Sequence, residues 1–225
     1  MKIINLIILG IVFVLLFTGC NSQYIYYKVD DEIKTAMTDS KTPPKTALKT
    51  NIRIDLKDWR LLSMSASPKN TYLALALIDR QSGTNLDARL DIYTNKGGYL
   101  YYSFTGEDLQ SLIENALDYT YPNFTYAFFP FELGYENDNV LIARIEPEGS
   151  GIVAQTVIIK IDLRTKKLIE KPIFLSRHNQ YIYPTHTSKN KYNFTVIKGK
   201  MYINGEKLKG MPNNIDEKLH DEVEL

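Results

Sequence analysis

The chain has 225 residues, 44% of them hydrophobic, and its 27 Lys and Arg nearly balance its 26 Asp and Glu. A single all-β domain can have this length, and the near-neutral total gives no indication of nucleic acid as a partner. The single cysteine excludes an internal disulfide and any site built from several cysteines. Packing and hydrogen bonds must therefore stabilise the body of the protein.

The first twenty residues contain the only long apolar run. Lys2 gives a short positive region, an apolar stretch covers residues 3–17, and the sequence "FTGC" ends the run at Cys20. This order of segments is typical of a secretory signal peptide. The "FTGC" residues also resemble the lipobox of bacterial lipoproteins, in which small residues lead into the cysteine that receives the lipid.

The lipobox resemblance implies that residues 1–19 are a signal peptide and that Cys20 carries a diacylglyceryl group, commonly with a further acyl chain such as palmitate. It implies a membrane-anchored lipoprotein of the bacterial cell envelope. Asn21 follows the cysteine where Asp often signals inner-membrane retention, which favours the outer membrane if the source is Gram-negative. In the alternative, residues 3–19 stay as an uncleaved anchor, being just long enough to span a bilayer.

The mature chain divides by composition. Residues 20–50 are rich in Lys, Thr, Ser and Asp, with Pro43 and Pro44 in the middle, which predicts a lipidated cysteine followed by a tether. Within the tether, residues 24–29 can form a short strand. Residues 51–212 are predicted to form a β domain, and residues 213–225 an acidic C-terminal tail.

The β domain is indicated by alternating or fully apolar runs between turn residues. "NIRIDL" at 51–56 alternates, and hairpins are expected around residues 68–70, 95–98, 162–167, 198–200 and 204–205. One segment has helical spacing instead, from about residue 107 to 118, and begins with an acidic form of the capping box at Thr105 and Asp108. The sequence thus predicts a mainly β, antiparallel fold with one short amphipathic helix.

Two segments resemble blades of TolB-type propellers. They are "SMSASPKNTYLALALID", centred on Ser67, Pro68 and Asn70, and "VIIKIDLRTKKLIEKP", centred on Asp162 and Thr165. The resemblance implies a small or partial β-propeller, in which the length allows four blades at most. A β-sandwich is the alternative, because these residues are turn formers that any antiparallel protein can use.

Residues with recognisable chemistry are few. The sequence has no G-x-S-x-G elbow, phosphate loop, H-E-x-x-H or EF-hand loop, and the spacing of His178 and His186 matches no known zinc motif. No catalytic, cofactor-binding or metal-binding residue is therefore assigned, and a non-enzymatic role is favoured.

The densest aromatic segment is "YTYPNFTYAFFPFELGY" at residues 119–135. Aromatic side chains at this density either fill a core or form a recognition surface, so Tyr121, Phe124, Tyr126 and Phe128 are candidate recognition residues. The first hypothesis is a lipid-anchored module that binds another envelope protein, as an immunity or assembly factor would. The alternative is a protein that binds or hydrolyses glycan or peptidoglycan.

Charge is distributed unevenly along the chain. Residues 106–150 contain nine acids and one base, Arg144, whereas residues 160–210 contain twelve Lys or Arg and three acids. These two blocks are expected to neutralise each other within the fold, or else to form a polarised binding surface.

Overall fold

The computed structural model describes residues 23–38, 47–79, 88–95, 98–117, 127–148, 155–176 and 194–224. These residues form sixteen strands and one helix. The first seven strands are β1 (Gln23–Val29), β2 (Glu32–Thr38), β3 (Ala47–Asp55), β4 (Trp59–Ala66), β5 (Tyr72–Asp79), β6 (Ala88–Thr94) and β7 (Tyr99–Thr105). Helix α1 (Gly106–Leu117) follows. The remaining strands are β8 (Ala127–Asn137), β9 (Val140–Glu148), β10 (Gln155–Asp162), β11 (Lys167–Leu168), β12 (Ile173–Ser176), β13 (Phe194–Ile197), β14 (Lys200–Ile203), β15 (Glu206–Lys207) and β16 (Ile215–Glu224).

The strands form four sheets with antiparallel pairing. Sheet I has the order β16-β1-β2-β3, and sheet II the order β4-β5-β6-β7. Sheet III has the order β11-β10-β9-β8, with β12 also paired to β10, and sheet IV has the order β13-β14-β15. The predicted class, mainly β with antiparallel sheets and one helix, is confirmed.

The sheets stack face to face in the order III, II, I, IV. One core lies between sheets II and III, where Leu90 and Ile92 meet Val157 and Ile159, and α1 adds Leu109 to it. A second core lies between sheets I and II, and a third between sheets I and IV. Sheets I and II are thus buried on both faces. A partial propeller and a sandwich-like arrangement are both compatible with this stack.

Strand β5 shows why the sheets stack in this way. Its side chains alternate between two apolar faces, so that Leu73, Leu75 and Leu77 enter the core shared with sheet I. Ala74 and Ala76 enter the core shared with sheet III. A strand that is apolar at every position needs a neighbour on both sides, because either face alone in water would expose a hydrophobic surface.

The helix begins where the capping box predicts. Thr105 Oγ1 accepts a hydrogen bond from the backbone N–H of Asp108 at 3.1 Å, and Asp108 Oδ2 accepts one from the backbone N–H of Thr105 at 2.9 Å. These reciprocal bonds satisfy donors that the first helical turn leaves free. Leu109 and Ile113 are fully buried on one face, as the helical spacing indicates.

The described residues at both ends of the chain form strands of sheet I, although composition indicated a tether and a tail there. The strand expected at residues 24–29 is confirmed within β1. Residues 23–38 form the β1–β2 hairpin, whose Ile25 and Ile33 are fully buried, and residues 215–224 form β16, which pairs with β1 from Gln23 to Val29. Among the described polar residues of this stretch, Asp30 and Asp31 occupy the exposed hairpin turn, whereas Thr35 is buried in β2. A composition average hides this difference, and only the pairing partner shows that the segment is part of a sheet.

The β1 hairpin also defines two ends of the stack. We call the end where β1 begins the near end, because Gln23 lies three residues after Cys20. The opposite end, which contains the β1–β2 turn at Asp30 and Asp31, is the far end. Leu56, three residues before β4 begins, also lies there, because its backbone N–H donates a hydrogen bond to Asp31 O at 2.9 Å. Strand β4 therefore runs from the far end to the near end.

Ser67 organises the near end. Its Oγ accepts hydrogen bonds from the backbone N–H groups of Thr71 and Tyr72, both at 3.0 Å, and donates one to Asp138 Oδ1 at 2.6 Å. Asp138 lies in the β8–β9 turn, so this one hydroxyl joins sheet II to sheet III. The adjacent Asn70 accepts hydrogen bonds through Oδ1 from Tyr26 of sheet I and from Asn95 Nδ2 of the β6–β7 turn. The Ser-Pro turn is thus a junction between three sheets.

Replacing Ile25 by Ala should reduce the free energy of unfolding by about 2–5 kcal/mol, because the substitution leaves a cavity in the core between sheets I and IV. Lys34→Ala, at a partly exposed position of β2, is the matched control and should change stability by less than about 1 kcal/mol. Urea unfolding of both variants is the measurement. Wild-type stability of Ile25→Ala would show that this hairpin does not contribute to the folded core.

Replacing Ser67 by Ala should cost about 1–3 kcal/mol, because it leaves buried hydrogen-bonding groups without their partner. Ser65→Ala, at a half-buried position of β4, is the control and should be close to neutral. If both serine variants unfold at the same urea concentration as wild type, the junction does not stabilise the stack.

The same junction predicts a pH dependence. Burial raises the pKa of Asp138, but hydrogen bonds from Ser67, Thr71 and the Lys69 backbone outweigh it and hold the pKa below its usual value. A depressed carboxyl pKa stabilises the fold above the pKa of the unfolded state, and this stabilisation is lost as the pH falls through the folded-state pKa. The stability difference between wild type and Asp138→Asn should therefore be largest near neutral pH and shrink in acid. A difference that is constant with pH would contradict this.

Candidate protein-binding surface

Three of the four aromatic residues proposed for recognition, Tyr121, Phe124 and Tyr126, lie outside the described residues. Phe128 lies in β8, where its backbone pairs with Pro147, and its side chain is not described. The later part of the same segment is packed: Tyr135 is buried in the core between sheets II and III. Phe131 is half-buried under the Arg144 guanidinium, whose central carbon lies 4.8 Å from the ring centroid. The described part therefore fits the core interpretation of this segment.

Cys20 and the predicted signal peptide, residues 1–19, also lie outside the described residues. So do His178 and His186. Among the residues that the structure describes, no three His, Cys, Asp or Glu side chains are placed together as metal ligands would be. In the same part of the chain, no helix has the length and apolar character needed to cross a bilayer.

The two charge blocks meet in sheet III. Lys160 Nζ lies 2.7 Å from Glu136 Oε2 and 3.0 Å from Glu170 Oε1. Hydrogen bonds to these two carboxylates raise the pKa of Lys160. Arg144, the one base of the acidic block, pairs with Glu132 at 3.2 Å. The contact of Lys160 with Glu136 joins the basic block to the acidic one, as expected if the blocks neutralise each other within the fold.

A different cluster stands out at the far end of sheet II. Trp59, at the start of β4, is half-buried, and the guanidinium carbon of Arg89 lies 4.0 Å from the centroid of its ring. The cation–π contact holds two long side chains against each other. Trp and Arg are the side chains most enriched among residues that dominate protein–protein binding energies.

An ion pair with Asp91 holds the Arg89 side chain in place. The Asp91 carboxylate is fully buried on β6 and lies 2.9 Å from a terminal nitrogen of Arg89. The Arg89 side chain itself is 30% exposed. Ser103 Oγ donates a hydrogen bond to the other carboxylate oxygen at 2.6 Å. A buried ion pair of this kind adds little net stability, because removing both charges from water offsets their attraction. Its clearest effect is to fix the direction of the Arg89 guanidinium.

Burial dominates the electrostatics of this cluster. It raises the pKa of Asp91, against the opposing effects of the Ser103 hydrogen bond and the Arg89 charge. Burial, together with the Asp91 charge, also raises the pKa of Tyr93 to about 12. Tyr93 is therefore neutral at physiological pH, and the cluster offers one partly exposed cation beside an indole ring.

Acidic residues lie at the same end of the stack as the Trp59–Arg89 pair. Asp79 is the strand partner of Trp59, and Asp58 precedes it in the chain. Asp55 ends β3, and Asp30 and Asp31 form the β1–β2 turn. Lys57 and Arg60 are the nearby bases in the β3–β4 connection and β4. We call Trp59, Arg89 and these five acids the far-end surface. It combines an aromatic–arginine centre with an acidic rim, which suits a protein partner that is basic around an apolar contact.

Sequence reasoning missed this surface because its parts come from four separate stretches. Trp59 is the only tryptophan of the chain, which was an available signal. Nothing in the sequence places Arg89 on its ring, since that contact needs β4 and β6 to be in the same sheet with β5 between them.

No protein-family model matches the chain. A search of curated proteins also finds no significant match.

Removing Asp91 alone should cost more stability than replacing the whole ion pair. Asp91→Ala leaves the partly buried Arg89 without its partner and should destabilise the fold, by up to about 3 kcal/mol. The double variant Arg89→Met with Asp91→Leu fills the site with apolar atoms and should recover most of the lost stability. Thermal unfolding measures both. A double variant that is less stable than Asp91→Ala would show that the pair is primarily a stabilising contact.

Proposed function

We propose that the protein is a lipid-anchored lipoprotein of the bacterial cell envelope that acts as a non-enzymatic protein-binding module. The lipobox-like "FTGC" ending at Cys20 supports the membrane location, because acyl chains on that residue would hold the protein on a membrane. The outer membrane is the favoured location if the source is Gram-negative.

The observation that carries the binding role is the Trp59–Arg89 pair fixed by the fully buried Asp91. Fixing the guanidinium before a partner arrives reduces the conformational entropy lost on binding. Because an ion pair of this kind adds little net stability, presentation of Arg89 and Trp59 to a partner is the role we assign to the arrangement. The partner is another envelope protein with a basic surface, as expected for an immunity or assembly factor.

The acidic rim supports this choice of partner. Opposite charges around a contact steer the encounter and exclude like-charged competitors, whereas the central aromatic and arginine contacts supply most of the affinity. The proposed interaction should therefore weaken at high salt mainly through slower association, with less change in the dissociation rate.

The test is capture of a partner from intact envelopes. A photocrosslinking residue at Arg60, exposed beside Trp59, should capture a discrete envelope protein, and adding Trp59→Ala should reduce the captured amount by about tenfold or more. A crosslinker at Lys69, exposed at the near end, is the matched control and should not capture that protein. In the Cys20→Ala variant, mass spectrometry should find no acyl chain on the protein.

Two results would contradict the proposal. One is the failure of far-end crosslinkers to capture any protein while the purified protein turns over an envelope substrate. The other is a Cys20 that mass spectrometry finds unmodified in the protein from native membranes.

A further inference from the structure

The start of β1 restricts how far the folded body can lie from its lipid. This inference rests on the proposed acylation of Cys20. Three peptide units separate Cys20 from Gln23, the first residue of sheet I, and a fully extended chain spans about 3.3–3.6 Å per residue. The near end can thus be at most about 11 Å from the lipidated residue. The predicted tether would have allowed a much larger separation.

The near end exposes apolar and aromatic side chains. They lie at the start of β7, which follows the near-end turn at Asn95: Tyr99 is 76% exposed, Leu100 52% and Tyr101 38%. Tyr101 is fixed in place, since its hydroxyl donates a hydrogen bond to Leu163 O at 3.3 Å and its ring centroid lies 5.2 Å from that of Tyr72. The exposed side chains therefore project from a rigid strand.

Basic side chains flank this strand. The β10–β11 turn lies beside it, and its Lys166 Nζ is 4.1 Å from the ring centroid of Tyr102. Arg164, Lys167 and Lys69 are exposed at the same end. We call Tyr99, Leu100, Tyr101, Lys69, Arg164, Lys166 and Lys167 the near-end surface.

The acids of the near end are partly engaged. Asp138 accepts hydrogen bonds from Ser67 and from the Lys69 backbone N–H. Asp162 accepts from the backbone N–H of Arg164 at 2.8 Å and pairs with the exposed Arg164 guanidinium at 3.4 Å. Glu222 and Glu224 lie in the part of β16 that pairs with the beginning of β1. The bases are thus concentrated on sheets II and III, and the acids of β16 on sheet I.

We propose that the near-end surface docks on the lipid headgroups of the membrane that holds Cys20. Tyrosine rings occupy the interface between headgroups and acyl chains, because the ring is apolar and the hydroxyl is hydrated. Lysine and arginine beside them attract anionic lipids. The short link from Cys20 keeps this surface within reach of the bilayer.

The docked orientation explains the opposite placement of the far-end surface. Strands of seven or eight residues span about 25 Å. With the near end on the headgroups, Trp59 and Arg89 project away from the membrane by about that distance. A protein partner can then reach them without contacting lipid.

The native tryptophan makes a direct test possible. The full-length lipoprotein is reconstituted into vesicles of phosphatidylethanolamine and phosphatidylglycerol that carry brominated acyl chains, which quench nearby tryptophan. Trp59, the single tryptophan of the wild type, reports the far end and should be little affected. A tryptophan at the near end, introduced as Leu100→Trp in a Trp59→Phe background, should be quenched at least about threefold more strongly, since it reaches the interface.

A second variant provides an independent near-end tryptophan in case Leu100→Trp does not fold. Tyr99→Trp in the same background changes the most exposed of the large hydrophobic side chains of the described residues and should give the same result. Equal quenching at positions 59 and 99, or no quenching at either near-end position in protein with verified acylation, would overturn the docking. Crosslinking of position 99 to a protein instead of lipid quenching would also overturn it.

The docking and the proposed function fail in distinguishable ways. Mass spectrometry of Cys20 is done first, and an unmodified cysteine overturns the lipoprotein proposal together with the docking that rests on it. Verified acylation without near-end quenching overturns the docking alone. Partner capture through Trp59 does not depend on the quenching result.

Discussion

The structure depends on burying both faces of its two central sheets. Strands β1 and β5 have apolar side chains at successive positions, and alternate side chains of a strand point to opposite faces. Neither strand can therefore lie at a surface without exposing a row of Ile, Leu or Tyr. Sheet III with helix α1 covers one side of sheet II, and sheet IV covers one side of sheet I. Sheets I and II cover each other.

Polar groups fix the stack where the apolar contacts end. Apolar packing is non-directional, so it allows sheets to slide or rotate on one another. The turn from Ser67 to Thr71 limits this freedom, because its hydrogen bonds reach Tyr26 in sheet I and Asp138 in sheet III. One serine and one asparagine thus connect three sheets by hydrogen bonds at the near end.

The two ends of the stack have different surfaces as a result. Chain direction places the β1 start, the exposed start of β7 and the basic β10–β11 turn at the near end. It places the acidic turns, Trp59 and Arg89 at the far end. The same alternation of strand direction that builds the antiparallel sheets thereby separates a surface suited to lipid from one suited to protein. Both proposed roles depend on this separation, and neither requires a conformational change.

The sequence by itself indicated most strands of sheets II, III and IV, several turns and the helix, because these follow from local signals. The Asn-Gly pair at 204–205 adopts positive φ at both residues, as a type I′ turn needs, and Thr105 with Asp108 caps α1. The lipidation of Cys20 that the lipobox resemblance implies stays a prediction. Only the tertiary structure decided that β1 pairs with β16 in sheet I, since the two strands are almost two hundred residues apart and their pairing leaves no local pattern. Likewise, the stacking of Arg89 on Trp59 and its support by Asp91 exist only once β5 holds β4 and β6 in one sheet. Contacts between distant segments depend on how sheets pack, and no short stretch of sequence encodes them.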